Sequence, residues 1–196
     1  DSTGTPEYET TTASVSLMDT AVAGIGDFDG DGKSDYAYSA PGANAGGTDK
    51  GEVFIKFGDG TDATITGHLD NMRLGDHIDG LGDINGDGRS DMLVSAENQV
   101  GGNYEAYIFH GTDSALPTDT NGITKISTPH EIVAGGSAGD LNGDGFDDIA
   151  VSFKMGSDVN TFILFGKNTL PSTIDMTYLE NPDNALKIHH AGAGSA

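Results

Sequence analysis

Asp27-Phe28-Asp29-Gly30-Asp31-Gly32-Lys33-Ser34-Asp35 recurs twice in this chain, as Asp83-Ile84-Asn85-Gly86-Asp87-Gly88-Arg89-Ser90-Asp91 and as Asp140-Leu141-Asn142-Gly143-Asp144-Gly145-Phe146-Asp147-Asp148. Each copy places a carboxylate or amide at positions 1, 3, 5 and 9 and glycine at 4 and 6. A chain that reverses this tightly needs backbone angles that a Cβ penalises, which is why glycine stands at the bends. The reversal turns the oxygen-bearing side chains towards one point. Four such groups would repel one another in an empty turn, so a threefold repeat in one register predicts a metal loop.

Ca²⁺ takes six to eight oxygens at about 2.3 to 2.6 Å, drawn from alternate side chains and from the carbonyl at position 7. The predicted ligands are therefore Asp27, Asp29, Asp31, Asp35 and the Lys33 carbonyl; Asp83, Asn85, Asp87, Asp91 and the Arg89 carbonyl; Asp140, Asn142, Asp144, Asp148 and the Phe146 carbonyl. No histidine or cysteine lies in a loop, which argues against zinc and softer metals, and Mg²⁺ demands a stricter octahedron. The expected cofactor is Ca²⁺ at three sites, bound most tightly by the first loop with its four carboxylates.

An EF-hand loop starts the same way but ends in a bidentate Glu at position 12 and runs into a helix. Position 12 here is Tyr38, Val94 or Val151. The following runs, Tyr36 to Ala40, Met92 to Ala96 and Ile149 to Phe153, are β-branched or aromatic and predict strands. Further strands are expected at Ala21–Gly26, Gly51–Gly58, Thr64–Gly67, Asp79–Gly82, Tyr104–Gly111, Gly136–Gly139 and Thr161–Gly166.

The glycines before the loops, Gly26, Gly82 and Gly139, lie 56 and then 57 residues apart. A unit of that length carrying about four strands predicts a blade of a β-propeller, in an all-β chain. The expected organisation is a polar lead-in over 1–14, blades over 15–68, 69–125 and 126–180, and the first strand of a fourth unit over 181–196. That last expectation rests on Ala191-Gly192-Ala193-Gly194, which matches Ala23-Gly24-Ile25-Gly26. Three blades cannot close a ring, so the chain is expected to be a partial propeller or a piece of a longer array.

The 196 residues carry a net charge of −22, with 9 basic against 31 acidic side chains. Such a surface repels phosphate backbones and anionic lipid, so neither nucleic acid nor membrane insertion is expected. The chain has no cysteine, which excludes disulfides and thiol chemistry. His68, His77, His110, His130, His189 and His190 are scattered without a phased nucleophile, which predicts a non-catalytic protein.

These loops resemble the FG-GAP repeat of integrin α-subunit propellers. In that family a calcium loop of the form D-x-[DN]-x-D-G-x-x-D is followed by a G-A-P-like element and by a strand ending in Phe-Gly. Ala40-Pro41-Gly42 matches the second feature, and Phe57-Gly58 and Phe165-Gly166 match the third. The second and third units lack the Ala-Pro element, and Phe109-His110-Gly111 carries an insertion. The resemblance spans about Val15 to Gly166 and implies the same three sets of calcium ligands. It further implies a secreted or cell-surface, bacterial adhesin-like module with structural calcium, meeting an unidentified protein or glycan. Two other roles compete: an accessory propeller of an extracellular hydrolase or lyase, and a calcium-dependent lectin-like module. Unpaired blade edges predict a homodimer that covers them, unless the chain is part of a longer array.

Overall fold

The computed structural model describes residues 21–97 and 102–188. The polar lead-in, the Ala191–Gly194 match and the His189-His190 pair lie outside the described residues.

The described chain is all-β apart from one helical turn, and its strands form three sheets. The first holds β1 (Val22–Gly26), β2 (Asp35–Ala40), β3 (Glu52–Lys56) and β4 (Asp62–Thr66) as an antiparallel meander. The second repeats the order with β5 (Leu74–Gly82), β6 (Asp91–Ala96), β7 (Tyr104–Phe109) and β8 (Lys125–Thr128). The third has β9 (Glu131–Gly139), β10 (Asp148–Met155) and β11 (Asp158–Leu164), while its outer strand arrives much later. Each acidic loop joins a sheet's first two strands, and a strand rather than a helix emerges from every one. Three sheets of this kind make a partial propeller without closure.

The path after β11 corrects the expected boundaries. The chain crosses to the second sheet and adds β12 (Thr173–Ile174) parallel to β8. It makes the single turn α1 (Met176–Leu179), capped by the Asp175 carboxylate accepting the Tyr178 N–H at 2.9 Å, and returns as β13 (Ala185–Ile188) beside β11. Ala185–Ile188 is thus the outer strand of the third sheet, although 181–196 read as the start of a fourth unit. Likewise β8 spans 125–128, across the expected edge at 125/126. Neither segment announces its sheet locally, because the partner strand decides it.

A similar crossing ties the first two sheets. The segment between β7 and β8 reaches back to β4, where the Thr66 N–H donates to the Thr118 carbonyl at 3.0 Å.

The first strands stand side by side, β1 against β5 and β5 against β9, so the sheets stack face to face. Strand alternation gives the middle sheet two apolar faces. Met92, Val94, Tyr107 and Phe109 pack with Ile25, Phe28, Ala37 and Ile55 of the first sheet. Leu93, Ala106 and Ile108 pack with Ile149, Val151, Phe153 and Phe162 of the third. Burying Tyr107, Phe109, Phe153 and Phe162 alone removes four aromatic rings from water, at roughly 1.5 to 3 kcal/mol for each large side chain.

Candidate metal centres

Each loop is held in shape by its own side chains. Position 9 is the deepest: Asp35, Asp91 and Asp148 are buried. One oxygen of each accepts the N–H of position 2, from Phe28, Ile84 and Leu141, at 2.8 to 2.9 Å. The other accepts the N–H of the glycine that ends the third strand, from Gly58, Gly111 and Gly166, at 2.8 to 3.0 Å. The ninth aspartate therefore clasps the loop's start to the Phe-Gly turn. That turn has no room for a side chain: a Cβ on Gly111 or Gly166 would lie 2.5 or 2.2 Å from the position-8 carbonyl oxygen, of Ser90 or Asp147. A carboxylate oxygen has a second lone pair, so clasping leaves capacity for a cation.

At the rim the loops share one scaffold. Asp29, Asn85 and Asn142 at position 3 accept the N–H of position 5, and position 5 accepts the N–H of position 7, all at 2.8 to 3.0 Å. The glycines at positions 4 and 6 all have φ between 76° and 94°, the left-handed region reserved for residues without a Cβ.

Position 1 divides the loops. Asp83 accepts N–H groups from Gly86, Asp87 and Gly88, and Asp140 from Gly143, Asp144 and Gly145, at 2.7 to 3.1 Å. Among the described residues Asp27 accepts only from Gly32, at 3.0 Å, and its Oδ1 is buried with no hydrogen-bond partner. Position 3 divides them too. Asn85 and Asn142 donate to Asp87 and Asp144 at 3.0 and 2.8 Å, a bond that Asp29, an ionised carboxylate, cannot make.

Carboxylate oxygens of Asp27, Asp29 and Asp35 lie within 4.8 Å of one another, as do those of Asp29, Asp31 and Asp59. Burial, together with the charges of Asp35, Asp31 and Asp27, raises the Asp29 carboxyl above its ordinary range against the lowering effect of the Asp31 N–H. An orphaned buried oxygen among crowded carboxylates fits a hard, oxygen-seeking cation.

Asp59 is a member that loop spacing did not reveal. It follows Phe57-Gly58, where the other units have Thr112 and Lys167. Also unread was the work of the position-7 side chains. Arg89 lies over Gly30, its Nε 2.9 Å from where a Cβ would stand, and pairs with Asp113 at 2.9 Å; Phe146 lies over Gly86. Beside the first loop, a cleft of about 500 Å³ opens between Phe57, Ala63 and Leu116, with Asp29, Asp31 and Asp113 on its rim.

Three of the described histidines, His68, His77 and His110, make side-chain contacts within the fold. His68 meets the Thr120 hydroxyl at 2.7 Å, and His110, the inserted residue, meets Asp91 at 3.2 Å. Hydrogen bonding to Asp91 raises the His110 ring above its ordinary range despite its partial burial. Asp76, His77 and Ser95 lie together, at 3.0 and 3.3 Å, but both contacts use the same ring nitrogen, Nδ1. A relay needs one nitrogen for each partner. Ser95 is also buried, and its hydroxyl accepts the His77 N–H, as that of Ser39 accepts the Ala21 N–H in the first unit.

Residues 83–151 match the family model of the FG-GAP-like repeat. The match runs from the first aspartate of the second loop, through the third loop, into β10. Over those residues, about a third of the chain, the sequence is similar to that repeat. No curated protein matches the chain.

Proposed function

We propose that this chain is a calcium-binding, non-catalytic module of a secreted or cell-surface protein, an adhesion or interaction scaffold for a protein or glycan ligand. Ca²⁺ is structural in this reading. Asp27, Asp29, Asp31 and Asp35 would hold it in the first loop with Asp59 close by, and the corresponding Asp and Asn side chains in the other two. The carrying observation is the Asp27 Oδ1, buried without a hydrogen-bond partner among the described residues and crowded by the Asp29 and Asp35 carboxylates, while the loop's cation, Lys33, pairs with Asp31 at 3.1 Å. A bound divalent ion supplies opposite charge beside Asp27, Asp29 and Asp35, where Lys33 does not pair.

Extracellular calcium modules bind with dissociation constants of about 0.1 to 1 mM. At tenfold excess each site contributes roughly 1.4 kcal/mol, and three sites about 4 kcal/mol. For a chain of this size that corresponds to a melting temperature higher by about 8 to 16 °C. Melting in millimolar calcium and again in excess chelator checks it; identical curves would end the structural-calcium reading.

A second reading, a calcium-dependent lectin-like module, is favoured by the cleft beside the first loop, whose acidic rim includes two of its ligand candidates. Glycan binding by the isolated chain that disappears on chelation supports it. Retention on glycans in chelator, or no retention at all, counts against it.

A further inference from the structure

The middle unit departs from its neighbours at one spot. Opposite position 12 of each unit stands an aromatic ring: Phe54 across from Tyr38, Tyr107 across from Val94 and Phe162 across from Val151. Of the three, only Tyr107 carries a hydroxyl. Sheet pairing does not ask for that hydroxyl, because Phe54 and Phe162 stand at the same place without one. The middle unit's link from β7 to β8 covers 110–124, whereas β3 and β4 are joined by 57–61 alone. The path after β11 reaches this spot too, where the Lys125 N–H donates to the Ser172 carbonyl at 3.1 Å.

The extra hydroxyl enters a buried polar network. Glu105 and Tyr107 are 3% and 1% exposed, and the Tyr107 O–H donates to the Glu105 carboxylate. Glu105 also accepts from Lys125 Nζ at 2.5 Å and from the Ser127 hydroxyl at 3.4 Å. Burial, reinforced by the bond to Glu105, raises the Tyr107 hydroxyl far above its ordinary range, so it stays a donor. Buried Thr120 seats His68, whose Nδ1 lies 2.7 Å from the Thr120 hydroxyl. A buried ion pair adds little net stability over an apolar filling, so stability alone does not account for this one. His68, Tyr107, Thr120, Asn121, Lys125 and Ser172 line a cavity of about 250 Å³. At about 30 Å³ per water it has room for roughly eight waters, or for one sugar ring.

We propose that this cavity binds a hydroxylated monocarboxylate, a sugar acid of the uronic type, with Lys125 holding its carboxylate. In a chain with 9 basic and 31 acidic residues, the cavity has a lysine in its lining and no carboxylate among the described residues. Glu105 engages one of the three ammonium donors and fixes the head in place, which leaves two donors for a ligand. The rest of the lining is neutral and hydrogen-bonding. The Asn121 amide and the Thr120 and Ser172 hydroxyls suit ring hydroxyls, and His68 has Nε2 left over once Nδ1 meets Thr120. At physiological salt the chain's negative charge is screened beyond about 8 Å, so the lining decides what enters. None of the lining residues belongs to an acidic loop, and the proposal does not rest on the calcium reading.

The test is an NMR titration of the isotope-labelled full chain with D-glucuronate, and with D-glucose as its uncharged counterpart, both in excess chelator. Glucuronate is expected to move the backbone signals of His68, of Thr120 to Lys125 and of Ser172, and to bind at least about tenfold tighter than glucose, as a hydrogen bond to a charged group implies. Lys125→Gln is expected to weaken glucuronate by about tenfold or more, and Asn121→Ala, at an exposed position, by about fivefold. Thermal melting confirms that each variant is folded; should Lys125→Gln fail to fold with Glu105 left unpaired, Asn121→Ala decides. No binding in chelator, equal binding of the two sugars, or shifts confined to the acidic loops overturns the proposal. Affinity unchanged in a folded variant overturns it as well.

Discussion

The first loop and the other two share a clasp, a backbone path and a glycine pattern, yet they satisfy themselves differently. In the second and third loops the first aspartate takes up three backbone N–H groups and the asparagine ties down the fifth position. Those loops hold together through hydrogen bonds to their own carboxylates. The first loop replaces asparagine with Asp29, keeps one of the three N–H contacts to Asp27, and buries an oxygen without a partner. One added carboxylate leaves the first loop less satisfied by its own hydrogen bonds than its neighbours, and in the proposed reading gives it the strongest hold on a cation.

The largest effect is expected from the part that does not differ. Replacing Asp91 or Asp35 with Ala removes the acceptor for two backbone N–H groups in a buried place, at about 1 to 3 kcal/mol for each, or roughly 2 to 6 kcal/mol in all. Denaturant unfolding should show similar losses for the two variants, with or without calcium. A loss confined to calcium-containing buffer would mean that the clasp is first of all a ligand.

The next effect separates the loops. Asp83→Ala leaves the Gly86 and Gly88 N–H groups without their acceptor, while the Asp87 N–H keeps Asn85 Oδ1, and should lower stability in chelator by roughly 1 to 2 kcal/mol. Asp27→Ala should cost little in chelator and instead remove about 1.4 kcal/mol of calcium-dependent stabilisation. Melting curves under both conditions check the crossing; equal behaviour of the two variants would erase the distinction.

Asp29→Asn sharpens the comparison by giving the first loop the chemistry of its neighbours. The new amide can donate to Asp31, so stability in chelator should rise by about 1 kcal/mol while calcium affinity falls. Calcium titration of this variant and the wild type tests both halves.

The smallest effect lies away from the loops. Hydrogen bonding to Asp76 raises the His77 ring above its ordinary range, opposed by partial burial and reinforced by the charges of Asp76 and Asp79. A raised histidine stabilises fully below its unfolded value of about 6.5, and that stabilisation is lost as the pH rises through the folded value. His77→Gln should therefore melt slightly below wild type at about pH 5.5 and match it at about pH 8. The half-exposed side chain keeps the difference small.

Much of this was legible in the chain because the loops are local objects: glycines where the backbone must reverse, oxygens at alternate positions, and strand-forming residues immediately after. Those features need no partner to be recognised, and β1 to β7 and β9 to β11 follow from them. What could not be read depends on neighbours. Asp35, Asp91 and Asp148 read as metal ligands by spacing, and only the approach of Gly58, Gly111 and Gly166 makes them clasps as well. Arg89 and Phe146 were credited with carbonyls alone, since the glycines they cover sit in the preceding unit. Ala185–Ile188 lies in a tail that resembled a new unit, and only its pairing with β11 places it in the third sheet. Asp59 cannot be read from loop spacing, because it is distant in sequence from the loop it approaches.

Direct calcium binding to the wild-type chain, measured by equilibrium dialysis in magnesium-containing buffer, tests the central claim most closely. Three ions per chain are predicted, with the tightest step lost in Asp27→Ala. No calcium retained above background, or retention unchanged by Asp27→Ala, would contradict it.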